Sequence, residues 1–342
     1  MERPSDLDLY YPAKDDEKYN KGPLVKAAGV GNLRVFTYLL EVVGLKITHE
    51  WEIIHDATKK GHLDIIRYMY EVVWNGKRNF SGFPYLVGDA AKHAHFDIVQ
   101  YLCEKGAYFD ENALSFACAG NCMETCKYVY HACINAGITT FNTYPIFEAA
   151  NNNNLEMVKW LWEVVKAPCF WGALESAASR GNMAIVQYLV EICNCCSDSS
   201  CIIDNAAEHG HLDVIQYLFG KFSTLLFTNW AIDRAASNGH LDVVKYMFEI
   251  KRAACTTKAM DSAAENGHLP VVIYLHEVVK AKHTRNAMLR AALYNHLDVV
   301  KYLYHFVKFT PKLIQEVIDK SRKRKHLDIA DYLEFQTNVP KI

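Results

Sequence analysis

The sequence predicts an all-α solenoid of helix-turn-helix units, and three observations predict it. The first is a stretch, Ala235-Ala236-Ser237-Asn238-Gly239-His240-Leu241-Asp242-Val243-Val244-Lys245-Tyr246, that returns along the whole chain. Counting the residue in the Leu241 position gives eleven copies, at Leu33, Leu63, Phe96, Met123, Leu155, Met183, Leu212, Leu241, Leu269, Leu297 and Leu327, spaced by 27 to 33 residues. The second is that apolar residues in each copy follow a helical period. The third is a glycine or asparagine at one fixed place between the two periodic stretches. Repetition at this interval marks stacked units, none of which can bury its apolar face alone.

Each copy divides into three elements. A shorter first helix carries a small pair, Ala-Ala at 27–28, 90–91, 149–150, 177–178, 206–207, 235–236, 263–264 and 291–292, which lets it lie close to its neighbours. The turn follows two residues before the Leu241 position. There stand Gly31, Gly61, Gly181, Gly210, Gly239 and Gly267, with Asn121, Asn153 and Asn295 in three other copies. Both residue types accept a left-handed backbone, which stops one helix and starts the next. Only Ala94 and Lys325 depart from this rule.

The second helix runs from the Leu241 position at about 100° per residue. The position three residues after the Leu241 position is apolar in all copies, and eight copies place an acid just after the start, where the positive end of the helix dipole favours it. The single position five residues after the Leu241 position is aromatic in every copy: Tyr38, Tyr68, Tyr101, Tyr128, Trp160, Tyr188, Tyr217, Tyr246, Tyr274, Tyr302 and Tyr332. It lies at the border of the buried arc, which suits packing between repeats by a ring with a polar tip. Seven of the fifteen histidines, His62, His95, His211, His240, His268, His296 and His326, precede the second helix. Asn32, Asn154 and Asn182 replace them elsewhere, so the position reads as a helix N-cap.

Asn-Gly-His-Leu-Asp-Val-Val-Lys-Tyr, preceded by Ala-Ala, resembles the core of the ankyrin repeat over about residues 22–335. The short-period variety is similar to the large arrays of amoebae, oomycetes and giant DNA viruses. The resemblance implies a concave surface, made by first helices and loops, that grips a partner protein. The family's Thr-Pro-Leu-His opening survives only in pieces, and Glu175, Asp204, Asp233 and Asp261 replace its histidine. These departures predict short or degenerate hairpin loops, with one fuller finger at 105–110.

Composition narrows the class. A net charge of −2 and a pI near 6.7 argue against a nucleic-acid face. No apolar run is long enough to span a membrane, and the N-terminus lacks a signal segment. Eleven irregularly spaced cysteines without such a signal read as reduced thiols of a cytoplasmic protein, with nuclear entry through the basic run 322–325 as a second address. The organisation expected is a polar tail over 1–20, a solenoid of about eleven repeats over 21–335 and a short tail over 336–342. Asp6-Leu7-Asp8-Leu9-Tyr10-Tyr11-Pro12 reads either as a docking motif or as a loose end.

The positions left free by the framework are candidates for partner binding on the concave face. They are Trp51, Lys59, Lys60, Lys92, His93, Trp171, Arg180, Glu208, His209, Asn229, Asn238, Glu265, Asn266, Arg285 and Tyr294. In the loop 74–84, Phe80 and Phe83 either face a partner or fold back onto the stack. Cys118 and Cys126 read as core. Cys193, Cys195, Cys196 and Cys201 gather four thiols in one loop, but their spacing fits no common zinc template. No nucleotide loop, nucleophile elbow or metalloprotease helix occurs, so neither catalysis nor a cofactor is expected. The reading is a non-catalytic, monomeric scaffold for another protein. A substrate-recruiting adaptor of a multi-subunit enzyme such as a ubiquitin ligase stands beside it, and an enzyme or metal-sensing protein centred on the cysteine loop comes last.

Overall fold

The computed structural model describes residues 3–4, 22–83, 85–195, 200–222, 225–307 and 309–338. Almost all of the N-terminal tail with its docking motif, Cys196, and residues 339–342 lie outside them. Helices joined by turns and loops make up the described chain, and no strand occurs among these residues. The chain divides into two compact units, Met1–Cys169 and Phe170–Ile342. The first runs from the helix pair Pro23–Val30 and Leu33–Glu41 to Tyr144–Asn151 and Leu155–Trp160, and the second from Trp171–Ser179 and Met183–Glu191 to Pro311–Lys323 and Leu327–Asn338.

The turn explains why each pair folds back. Gly239 takes φ 81°, and its N–H donates to Ala236 O while the N–H of His240 donates to Ala235 O. This is the doubly hydrogen-bonded stop that a left-handed residue permits. Asn121, Asn153 and Asn295 adopt the same hand, and so do Ala94 (φ 59°) and Lys325 (φ 65°), the two exceptions in sequence. Backbone geometry is therefore kept even where the residue pays a steric penalty.

Within each unit the first helices stack on one another through the buried Ala-Ala pairs, and the second helices cover them with buried aliphatic residues such as Val243, Val244 and Met247. Cys118 and Cys126 lie in this core, their sulfurs 3.9 Å apart. The aromatic position links neighbouring repeats in two ways. The phenols of Tyr68, Tyr217 and Tyr274 donate to Glu41, Glu191 and Glu249 of the preceding second helix, at 2.6, 2.9 and 2.7 Å. The rings also meet a ring on that helix edge-on, as in Tyr70–Tyr101, Tyr130–Trp160 and Phe248–Tyr274, with centroids 6.0, 5.7 and 6.4 Å apart.

The histidines do something other than cap. Asn32, Asn154 and Asn182 do accept from Val35, Met157 and Ile185 N–H. His62, His95, His211, His240, His268 and His296 make no such bond. Each imidazole instead lies on the turn glycine of the preceding repeat. A Cβ on Gly31, Gly181 or Gly239 would sit 2.3, 2.3 or 2.6 Å from the ring of His62, His211 or His268. His95 Nε2 also lies 3.2 Å from Lys59 O. The glycine is needed twice, for its backbone hand and for the space it leaves.

Three of the loops before first helices are tethered rather than hairpinned. Asp204, Asp233 and Asp261 are buried, and each accepts from both the N–H and the hydroxyl of a threonine, Thr228, Thr256 and Thr284. The same threonine oxygen caps the helix it opens, accepting from Trp230, Lys258 and Asn286 N–H. The acids that replace the family's histidine thus anchor the loop. Residues 105–110 form a turn and an irregular segment, not a fuller hairpin finger. Phe80 and Phe83 fold back: both are buried, against Trp74 at 5.4 Å each, and Arg78 closes the cluster over Trp74 while pairing with Glu50 at 2.6 Å.

Candidate partner-binding face

In the first unit, Trp51 sits in the first turn of the helix Glu50–Lys60 and stacks on His55, with centroids 4.4 Å apart and planes 14° apart. His55 in turn reaches Asp89 of the next repeat at 3.1 Å. This chain of contacts fixes an indole in solvent. At the other end of the same helix Lys59 and Lys60 are exposed, and Lys92 and His93 take the equivalent place one repeat on. Desolvation, then the charge of Lys59, holds His93 below the ordinary imidazole value, so the lysines supply the positive charge there.

The second unit carries its strip differently. Trp171, Arg180, Asn229, Arg285 and Tyr294 are exposed. Glu208 and Glu265 pair with Arg234 and Arg290 of the following repeats, and Arg285 with Glu316. Asn238 and Asn266 act as struts, their side-chain amides donating to Glu208 O and Ser237 O at 2.7 Å each. His209 bonds Asn205 O at 2.9 Å and Ser179 Oγ at 3.3 Å. Several positions that look free in sequence therefore serve partly as ties between first helices.

Three residues escape the sequence reading. Tyr85, Tyr144 and Trp230 stand at the starts of first helices and are 57%, 53% and 56% exposed, as Trp51 and Trp171 are 45% and 49%. They lie one residue later than Trp51 and Trp171 when counted back from the Leu241 position. Arg234 lies over the Trp230 ring at 4.8 Å and holds it as His55 holds Trp51.

Among the described residues no group of three or more His, Cys, Asp and Glu side chains is placed to hold a metal ion. Cys193 and Cys195 are buried, whereas Cys201 is exposed. Among the same residues no helix is long and apolar enough to cross a membrane.

Helix pairs stacked through small residues, with exposed rings at the starts of several first helices, define an α-helical repeat protein. A family model described as ankyrin repeats in three copies matches residues 24–113, 88–167, 146–226 and 232–312, and the chain belongs to the ankyrin repeat family. Its members are generally protein–protein interaction modules and typically non-catalytic. Among curated proteins, none matches the chain.

Proposed function

We propose that the chain is a non-catalytic scaffold that seats a partner protein on the face formed by its first helices and the loops before them. The observation that carries this reading is a set of solvent-exposed rings, Trp51, Tyr85 and Tyr144 in the first unit and Trp171 and Trp230 in the second, of which Trp51, Tyr144, Trp171 and Trp230 each lie against a neighbouring side chain. An exposed indole is apolar surface left in water, and large rings that are already ordered lose little entropy on binding. Such residues dominate the energetics of protein interfaces. The mixed charge beside them, Lys59, Lys60 and Lys92 against Glu208 and Glu265, suits register and encounter rate more than raw affinity.

The test is a triple variant, Trp51→Ala, Trp171→Ala and Trp230→Ala. Partners identified by proximity labelling in the native cell should be lost by roughly tenfold or more, with melting retained. An unchanged partner set would refute the assignment of this face. The adaptor reading is the special case in which residues 6–12 dock to a ligase subunit, and ligase subunits among the labelled proteins would favour it.

A further inference from the structure

Charge is divided unevenly along the chain. Residues 280–325 hold twelve of the 37 Lys and Arg residues but only three of the 39 acids, so the rest of the chain holds 25 bases against 36 acids. Part of this basic stretch surrounds a cleft of about 390 Å³ between the loops that open the helices Arg285–Leu293 and Pro311–Lys323. Its walls include His283, Arg285, Phe309, Lys312, Leu313 and Glu316.

The walls are held in place. Thr284 is bound to Asp261 and caps one helix, and Thr310 caps the other through Leu313 N–H at 3.3 Å. The His283 and Phe309 rings meet edge-on, 5.6 Å apart. Glu316 pairs with Arg285 through one oxygen and with Lys320 through the other, at 2.8 Å, which orients the Arg285 guanidinium at the rim. A guanidinium has five N–H donors, so a second carboxylate can still be received. Lys312 and, on the loop leading in, Lys282 are exposed and form no ion pair among the described residues.

We propose that this cleft receives an acidic peptide segment of the partner, carboxylates against Arg285, Lys312 and Lys282 and an apolar side chain against Phe309 and Leu313. The inference rests on the protein-binding reading above and names the chemistry that one part of the face selects. A peptide fits better than nucleic acid for two reasons. The cleft joins cations to an apolar wall, and the Glu316 carboxylate in that wall would meet the closely spaced charges of a phosphodiester chain. Discrete carboxylates can avoid it.

The test measures fluorescence polarisation of a labelled Gly-Asp-Glu-Phe-Asp-Glu-Gly peptide against the full chain at low salt. Its Asn/Gln counterpart and a single-stranded oligodeoxynucleotide of equal charge serve as probes beside it. The acidic peptide should bind, and binding should weaken with salt. The pair Lys282→Glu and Lys312→Glu should weaken it about tenfold, equivalent to about 1.4 kcal/mol. The pair Lys127→Glu and Lys245→Glu, which changes net charge equally on second helices, should not. No binding, equal binding of the neutral peptide, equal effects of the two pairs, or cleft-dependent binding of the oligonucleotide instead would each overturn the proposal. Should the peptide fail while partner capture still depends on Trp51, Trp171 and Trp230, this inference falls and the scaffold reading stands.

Discussion

At Tyr217 the phenol donates to Glu191 across the gap between two second helices, while the ring remains half-buried. Tyr217→Ala should therefore cost about 2 kcal/mol, from lost ring packing with a smaller share from the hydrogen bond. Tyr217→Phe, which keeps the ring, should cost about 0.5 kcal/mol. Urea titrations of both variants check this, and equal losses would mean that the ring packs against nothing of consequence. Burial, and then hydrogen bonding to Glu, pushes the phenols of Tyr68, Tyr217 and Tyr302 from 10.0 up to about 12. The fold holds the neutral form, so the native state keeps protons that the unfolded chain gives up. This contribution is complete below pH 10 and is lost as pH rises toward 12. Replacing Glu41, Glu191 and Glu277 with Gln should flatten that alkaline loss in pH-dependent melting.

The element that joins repeats is the turn glycine with the next repeat's histidine upon it. Gly239→Ala meets two obstacles, a φ of 81° and a Cβ 2.6 Å from the His268 ring. It should cost roughly 2 kcal/mol or more. Adding His268→Ala should cost less than the sum of the two single changes, because the clash disappears and only the backbone strain remains. Strictly additive losses in a double-mutant cycle would show that ring and turn do not touch. Burial holds His211 and His268 below the ordinary value of 6.5. Their neutral form is the one the fold accepts, so the stability they contribute is present above pH 6.5 and lost as pH falls below it. The sequence misled on these residues because Asn, which does cap, alternates with His in the same position. The anchoring pairs Asp204–Thr228, Asp233–Thr256 and Asp261–Thr284 were legible in principle, as each acid precedes its threonine by a nearly fixed interval. They stay hidden while each acid counts only as a replacement for the family's histidine and not as a hydrogen-bond acceptor.

At the scale of the molecule, the period alone carried the fold: eleven turns and an aromatic at one position leave helix pairs as the one arrangement that buries every apolar stretch. The proposed binding face was less legible because exposure is not periodic in the way burial is. Trp51 and Trp171 could be singled out, whereas Tyr85, Tyr144 and Trp230 differ from them by one residue in register. Conversely, Asn238 and Asn266 vary among repeats like contact residues and yet tie one first helix to the next. The central claim is that the first-helix face binds and the second helices only support it. The most direct measurement compares partner capture, and its salt dependence, between two triple charge reversals: Lys59→Glu, Lys60→Glu and Lys92→Glu on first helices, and Lys127→Glu, Lys245→Glu and Lys301→Glu on second helices. The account predicts that the first set weakens capture and alters its salt dependence, while the second leaves both near the parent. Equal effects, or a larger effect of the second set, would contradict it.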